Sequence, residues 1–353
     1  MRALKENHRS NLTNIKKIQT AVTMVEDQQL VKSFQHLKFN TSLTFNSVNA
    51  ADTNDQDGLA SNGKMIAVAM KSTGTVAVFD ATKPRTFDAN LPLIKGHQGH
   101  IQDLQWNPFE DRLLATSADD GKVKLWIFDD NTGCDSTGSR LEPDLELDAH
   151  HRKCLSIQWH AAADNLLSTS AVDKTVKIWD INEGRNEEAV ITFTDMPDFA
   201  TSTRWSPDGK MLGVCCKNKS LAVFDPRQEA SIVKAGGHEG PRQQRMAWVD
   251  DSTLLTTGFD ATAKRQWGAW DIRNMEQPLL LGALNDGSAV PYFYYDRQYN
   301  IMILQGRGDN VSMVSHFDKS SPTMLNPLYN HIFQQTTSKQ FTMCPKHVCD
   351  VSK

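Results

Sequence analysis

Four side-chain types that can pass protons or hydrogen bonds recur in this 353-residue chain at one interval. His97 and His150, Thr116 and Thr169, Asp120 and Asp173, and Trp126 and Trp179 are each 53 positions apart. A His beside an Asp is the pairing a general base uses, because the carboxylate orients the imidazole and steadies its charge. The same four types can instead close one hydrogen-bonded chain from Asp through His and Thr to Trp, which partly buried polar groups require. Recurrence decides between the two readings, since an active site is built once and this set is built twice. These eight residues are therefore assigned as structural tetrads and no residue is assigned as catalytic. No Gly-rich phosphate loop or nucleophile motif appears elsewhere. No cofactor is expected, and the Cys344-His347-Cys349 cluster has too few ligands for a zinc site.

The elements that must position the tetrads alternate at period two: Ile101 to Trp106, then Arg112 to Thr116, then Lys122 to Trp126. This marks half-buried strands rather than helix. Asn107-Pro108 and Asp119-Asp120-Gly121 supply the turns, so each copy is an antiparallel meander. A second tryptophan pair, Trp106 and Trp159, keeps the interval. A Gly-His, three strands and a closing Trp-Asp over about 40–45 residues resembles a WD40 propeller blade. The second copy closes on Trp179-Asp180 and the first on Trp126-Ile127.

The fold class expected is all-β, a seven-bladed WD40 β-propeller whose last blade comes up one strand short. Residues 1–34 read as a polar extension or linker carrying a short helix, and 35–353 as the propeller. The blades are expected at about 61–94, 95–147, 148–192, 193–235, 236–285, 286–324 and 325–353, the last with 35–50. Gly58 to Gly63 reads as a loop. Blade four is degenerate, with Asn218 where Asp is expected and Phe224 where Trp is. Blade five runs from Gly237-His238 through Thr256 to Asp260, and its Trp270 then follows after ten residues rather than six. Those four extra residues are placed within Ala261 to Arg265, as an enlarged turn. The Arg307-Gly308-Asp309 triplet invites a cell-adhesion reading, but a blade turn accounts for it.

Hydrophobic content of 39% can build a core, and a formal charge of −4 gives no global pull toward nucleic acid or membrane. No apolar run approaches the roughly eighteen residues of a membrane span. A cytoplasmic protein is expected, with no nucleic-acid partner and with peripheral membrane contact left open. The six cysteines show no disulfide framework.

Leu255-Thr256-Thr257-Gly258-Phe259 followed by Arg265-Gln266 and Trp270-Asp271 resembles a segment of the coronins. Gly306-Arg307-Gly308-Asp309 looks like their Gly-Lys-Gly-Asp turn, and Pro345-Lys346 like the pair that opens their final blade. Asp225-Pro226-Arg227, and Phe79 through Pro84 to Leu91-Pro92, look more like the long coronins with two propellers in tandem. The resemblance implies a regulator of the actin cytoskeleton with actin filaments as partner. For the tandem members it implies also a trafficking role at the Golgi, so a WD40 adaptor without actin contact is the alternative. Coronins carry a basic SKFRH segment implicated in filament binding. Here the match is Leu37-Lys38-Phe39-Asn40, which keeps Lys38 and loses the Arg that could pair bidentately with a carboxylate. The loops that carry each His and Asp open onto one face. That face is expected to expose Arg152, Lys153, Lys174, Arg242, Arg245, Lys264, Arg265 and Arg307, a basic ring for an acidic partner or anionic headgroup.

Overall fold

Strand Leu113–Ala118 is buried at all six positions and Thr75–Asp80 at five of its six. A strand covered on both faces lies inside a stack of sheets, so its apolar and small hydroxyl residues share the burial: Leu114, Ala115, Thr116 and Ser117 are all enclosed. The computed structural model describes residues 45, 48–51, 57–83, 86–87, 91–128, 139–182, 188–194, 196–228, 231–332 and 342–343. Within them all regular structure is strand.

Among the described residues six sheets follow one another along the chain, each built on four antiparallel strands. Sheet one has Leu59–Ser61, Met65–Ala69, Thr75–Asp80 and Leu93–Lys95; sheet two has Ile101–Trp106, Leu113–Ala118, Val123–Ile127 and Leu145–Leu147. Sheet three has Cys154–Trp159, Leu166–Ala171, Val176–Asp180 and Ile191–Phe193; sheet four has Ala200–Trp205, Leu212–Cys216, Ser220–Phe224 and Ser231–Gly236. Sheet five has Arg245–Asp250, Thr253–Phe259, Arg265–Asp271 and Leu280–Ala283; sheet six has Pro291–Asp296, Ile301–Gly306, Val311–Phe317 and Leu325–Ile332. The first strands of successive sheets touch one another, which sets them round a common axis as the inner strands of propeller blades.

The core is correspondingly split into layers between neighbouring blades. Leu113, Val123 and Leu125 of sheet two pack on Ile157, Trp159, Leu167 and Trp179 of sheet three. Val176 and Ile178 meet Leu212, Val214 and Phe224 of the next blade in the same way. Each such side chain contributes about 1.5–3 kcal/mol by leaving water, so no blade is stable without its neighbours. The tryptophans that end the inner strands tie the blades together at the axis. Trp106 Nε1 donates to the Ala60 carbonyl at 3.4 Å, Trp159 Nε1 to Gln105 at 3.1 Å, and Trp248 Nε1 to Arg204 at 2.8 Å. Trp205 breaks the pattern, since its buried Nε1 has no hydrogen-bond partner among the described residues and its ring lies 4.4 Å from His160.

Two boundaries differ from the sequence expectation. Leu59–Ser61, expected within a loop, is the inner strand of sheet one and pairs with Ile66, Ala67 and Val68. Its three residues are too few for a periodic signal. Leu325–Ile332, expected to open blade seven, is instead the outer strand of sheet six, in register from Val311↔Ile332 to Phe317↔Leu325. A bulge at Val314/Ser315 and Pro327 break the alternation there, as an outer strand permits. Residues 333–341 and 344–353, and the extension 1–34, lie outside the described residues. In sheet two a loop segment, Ser139–Arg140, runs back parallel to Leu93–Lys95 and covers the outer edge of sheet one. The described cysteines, Cys154, Cys215 and Cys216, are buried and free, and no described helix is long and apolar enough to cross a membrane.

Candidate functional site

In sheets two and three the tetrads close as hydrogen-bonded chains. Trp126 Nε1 donates to Thr116 Oγ1 at 3.0 Å, Thr116 Oγ1 lies 2.8 Å from His97 Nε2, and His97 Nδ1 lies 3.0 Å from Asp120 Oδ2. The tautomer with its proton on Nδ1 lets Thr116 donate to Nε2 and satisfies every atom. Trp179, Thr169, His150 and Asp173 repeat the chain at 3.0, 2.8 and 3.0 Å. Burial pushes the Asp120 carboxyl up, but His97 and the amides of Gln98 and Lys122 outweigh it and hold the group at about 2. Asp173 is held below the usual carboxylate range by His150 and Thr175, again against burial. Burial keeps the His150 imidazole below its ordinary value, which Asp173 only partly offsets. Each imidazole is enclosed, with 1% and 0% of its side chain exposed, and cannot reach a substrate.

Blade five keeps the chain but changes its last member. Trp270 Nε1 donates to Thr256 Oγ1 at 2.8 Å and Thr256 lies 2.9 Å from His238 Nε2, but His238 Nδ1 meets Gln266 Oε1 at 3.0 Å. Asp260 does not take part. The expected enlarged turn is not there; the four extra residues lengthen the hairpin by two pairs, Gly258↔Gln266 and Phe259↔Arg265. The turn beyond is five residues, 260–264, as it is at 118–122 in sheet two. Two added pairs carry Asp260 past His238 and bring Gln266 level with it. Asp260 instead caps its own turn through the amides of Thr262 and Lys264. Asp260→Ala is accordingly expected to leave the melting temperature almost unchanged, because exposed turn hydrogen bonds are readily replaced by water, whereas Asp120→Ala strands the His97 Nδ1 proton and costs about 1–3 kcal/mol. Thermal melts of the two variants check this, and equal losses would overturn the assignment. Blade four forms no tetrad; Asn218 caps Ser220, and the Phe224 ring packs tilted against Phe193 with centroids 4.7 Å apart.

The lengthened hairpin also delivers Arg265, and here the sequence expectation is corrected. Expected on the exposed rim, Arg265 is 1% exposed. Its Nη1 and Nη2 clasp both Asp309 oxygens, the latter at 3.2 Å, and Nε donates to the Ala289 carbonyl at 2.8 Å. Gly287 and Gly306 make the slot, since a Cβ on either would overlap the guanidinium. The Asp of the Arg-Gly-Asp triplet is thus committed to a clasp between blades five and six. Arg245, also expected on the ring, opens an inner strand, where its Nη1 meets Asp57 at 2.6 Å and its guanidinium lies 4.5 Å from the Tyr292 ring.

Other cations do lie on the loop face. Arg152, Lys153, Lys174, Arg242 and Lys264 are exposed and Arg307 is half-buried. Lys153 pairs with Asp119 at 3.1 Å and Lys174 with Asp198 at 3.4 Å, exposed pairs worth about 0–1 kcal/mol. Sequence reasoning missed Lys217 and Lys219 on the same face. Lys219 Nζ donates to the Arg242 carbonyl, and its ammonium is pushed down by burial and by Lys217. Lys219 stands at φ 75 and Lys174 at φ 65, in turns where sheet two uses Gly121 at φ 78. A lysine held in the left-handed region is strained. Lys38 and Asn40 lie outside the described residues. Among the described residues no cluster of His, Cys, Asp or Glu could hold a metal ion.

Inner strands, inter-blade core and tetrads together define a WD40-repeat β-propeller. The family description "WD domain, G-beta repeat" matches residues 90–126 and 141–180. The crystal structure of the WD40 domain of Toxoplasma gondii coronin superimposes with a TM-score of 0.79, covering 87% of this chain and 78% of that one at 24% identity. Among sequence relatives, the Saccharomyces cerevisiae coronin-like protein is 30% identical over 311 residues, 85% of this chain and 46% of that protein. Bos taurus Coronin-7 is 29% identical over 310 residues, 86% of this chain and 33% of that protein. The chain belongs to the coronin family, and it spans less than half the length of these two relatives.

Proposed function

We propose that this chain is a non-catalytic interaction module that regulates the actin cytoskeleton by docking its loop face onto an acidic filament surface. Family membership supports the actin reading, and one observation supports the face: Arg152, Lys217, Lys219 and Arg242 form no ion pair among the described residues, while Lys153 and Lys174 beside them do. Uncompensated cations at the blade three to five sector attract an acidic partner and speed its approach, and salt screens that attraction. The His97/Asp120 and His150/Asp173 pairs are closed inside buried tetrads, which favours an interaction role over an enzyme.

Co-sedimentation with filamentous actin over a salt series tests the proposal. Pelleting is expected at low ionic strength, to fall as salt rises, and to weaken by about tenfold when Arg152, Lys217, Lys219 and Arg242 become Ala, a loss of about 1.4 kcal/mol. No pelleting at low salt would overturn it, and the adaptor reading without actin contact would replace it.

A further inference from the structure

Hairpin turns of sheets two to five share one hydrogen bond on the loop face, from the amide of Gly121, Lys174, Lys219 or Ala263 to the carbonyl three residues before it. Each of these residues is left-handed, at φ 78, 65, 75 and 62 in that order. Glycine takes this conformation freely, whereas a lysine is strained in it. Backbone preference therefore does not account for a lysine at 219, and strain of this kind persists where the side chain is needed.

The fold holds Lys219 rigidly. Its amide donates to the Cys216 carbonyl at 3.1 Å, and its own carbonyl accepts from the Gly237 amide at 2.8 Å and from Gln244 Nε2 at 2.9 Å. Gln244 is itself buried, so this anchor is fixed. At the far end of the side chain Nζ donates to the Arg242 carbonyl. A carbonyl takes up one N–H and leaves the lone pair of a neutral amine free. The residue is half-buried, with part of it open to solvent.

Its surroundings set this lysine apart from the others. Lys153 and Lys174 pair with Asp119 and Asp198, and Lys217 Nζ lies 4.8 Å from the centre of the Phe199 ring. Elsewhere Glu146 holds the Lys122 ammonium above its usual range, and Asp208 does the same for Lys210. All of these contacts favour the charged form. Lys219 has no ion pair among the described residues, and the cation Lys217 stands two positions away on the same turn. Burial first, and Lys217 second, push its ammonium down. An amine placed in this way is the nucleophilic kind.

We propose that Lys219 is an acyl-acceptor site on the loop face, taking an acyl group from a thioester as a stable amide. The neutral amine attacks the thioester carbonyl carbon, the C–N bond forms and the C–S bond breaks. The departing thiolate takes the proton that the nitrogen sheds, and nothing is oxidised or reduced. The amide carries no charge, so the modification removes one of the cations that the face leaves unpaired. Its regulatory consequence, a weaker hold on an acidic partner, rests on the docking reading above.

Incubating the full chain with S-acetylglutathione in mildly alkaline buffer, with each lysine followed by peptide mass spectrometry, tests the site. Lys219 is expected to acetylate at least about threefold faster than the exposed Lys264, because a lowered amine has the larger reactive fraction. Lys217→Gln removes the neighbouring cation from an exposed position, and is expected to slow Lys219 about twofold without changing the melting temperature. In urea the preference is expected to vanish, since the fold creates it. Equal rates at Lys219 and Lys264 in the folded chain, a preference that survives in urea, or an unchanged rate in the Lys217→Gln variant would overturn the site. The chain acetylated at Lys219 is expected to bind actin filaments about twofold more weakly than the parent. If the parent pellets and the acetylated chain pellets equally well, the regulatory role falls. A parent that does not pellet overturns the docking reading and that role with it, while the acetylation rates still decide the site.

Discussion

Arg265→Met is expected to destabilise the propeller by about 3–5 kcal/mol, the cost of removing one partner from a buried ion pair. The loss has three parts in the structure. Asp309, with a side chain 14% exposed, keeps its charge and loses its counter-ion; the Ala289 carbonyl loses its donor; and the slot made by Gly287 and Gly306 is left poorly filled. Because Arg265 is in sheet five and Asp309 follows the second strand of sheet six, the damage falls on the joint between blades. Thermal melts should show a drop of several degrees. The double variant Arg265→Met with Asp309→Asn should recover part of it, since pairs in direct contact couple by about 0.5–3 kcal/mol. A single variant melting within a degree of the parent, or a double variant as unstable as the sum of the singles, would show that the clasp holds nothing together.

Thr116→Val should cost roughly 2–5 kcal/mol, although it removes one hydroxyl from a shape-matched side chain. Thr116 Oγ1 accepts from Trp126 Nε1 at 3.0 Å and donates to His97 Nε2 at 2.8 Å. Losing it strands groups in a site with no water access, at about 1–3 kcal/mol each. Thr116→Ser keeps the hydroxyl and loses only a methyl, so it should stay within about 1 kcal/mol of the parent. The gap between Val and Ser is the measurement. If both melted alike, the chain from Trp126 to Asp120 would be geometry without energetic weight.

Much of this was legible in the chain. The tetrads of sheets two and three could be read because their members lie within about 30 residues, recur at one interval, and serve the same local purpose each time. The strands followed from alternation, and the inner-strand tryptophans from their spacing. Blade five shows where such reading stops. The count of ten residues from Asp260 to Trp270 was visible, but the same count fits a larger turn or a longer ladder. Pairing with the neighbouring strand chose the ladder, exchanged Asp260 for Gln266, and moved Arg265 indoors. The outer strand Leu325–Ile332 was misplaced for a related reason, because a bulge and a proline erase the period that would have marked it.

Sequence alone determined the all-β repeat, the tetrads and the family, because those depend on short-range pattern and on motifs that stay intact when read linearly. Tertiary structure alone decided which charges face water. In a propeller both faces of a blade are covered by its neighbours, so alternation assigns a residue to a face without saying whether that face is wet. Arg265 meets Asp309 across 44 residues and Arg245 meets Asp57 across 188, so neither pair has a local signature.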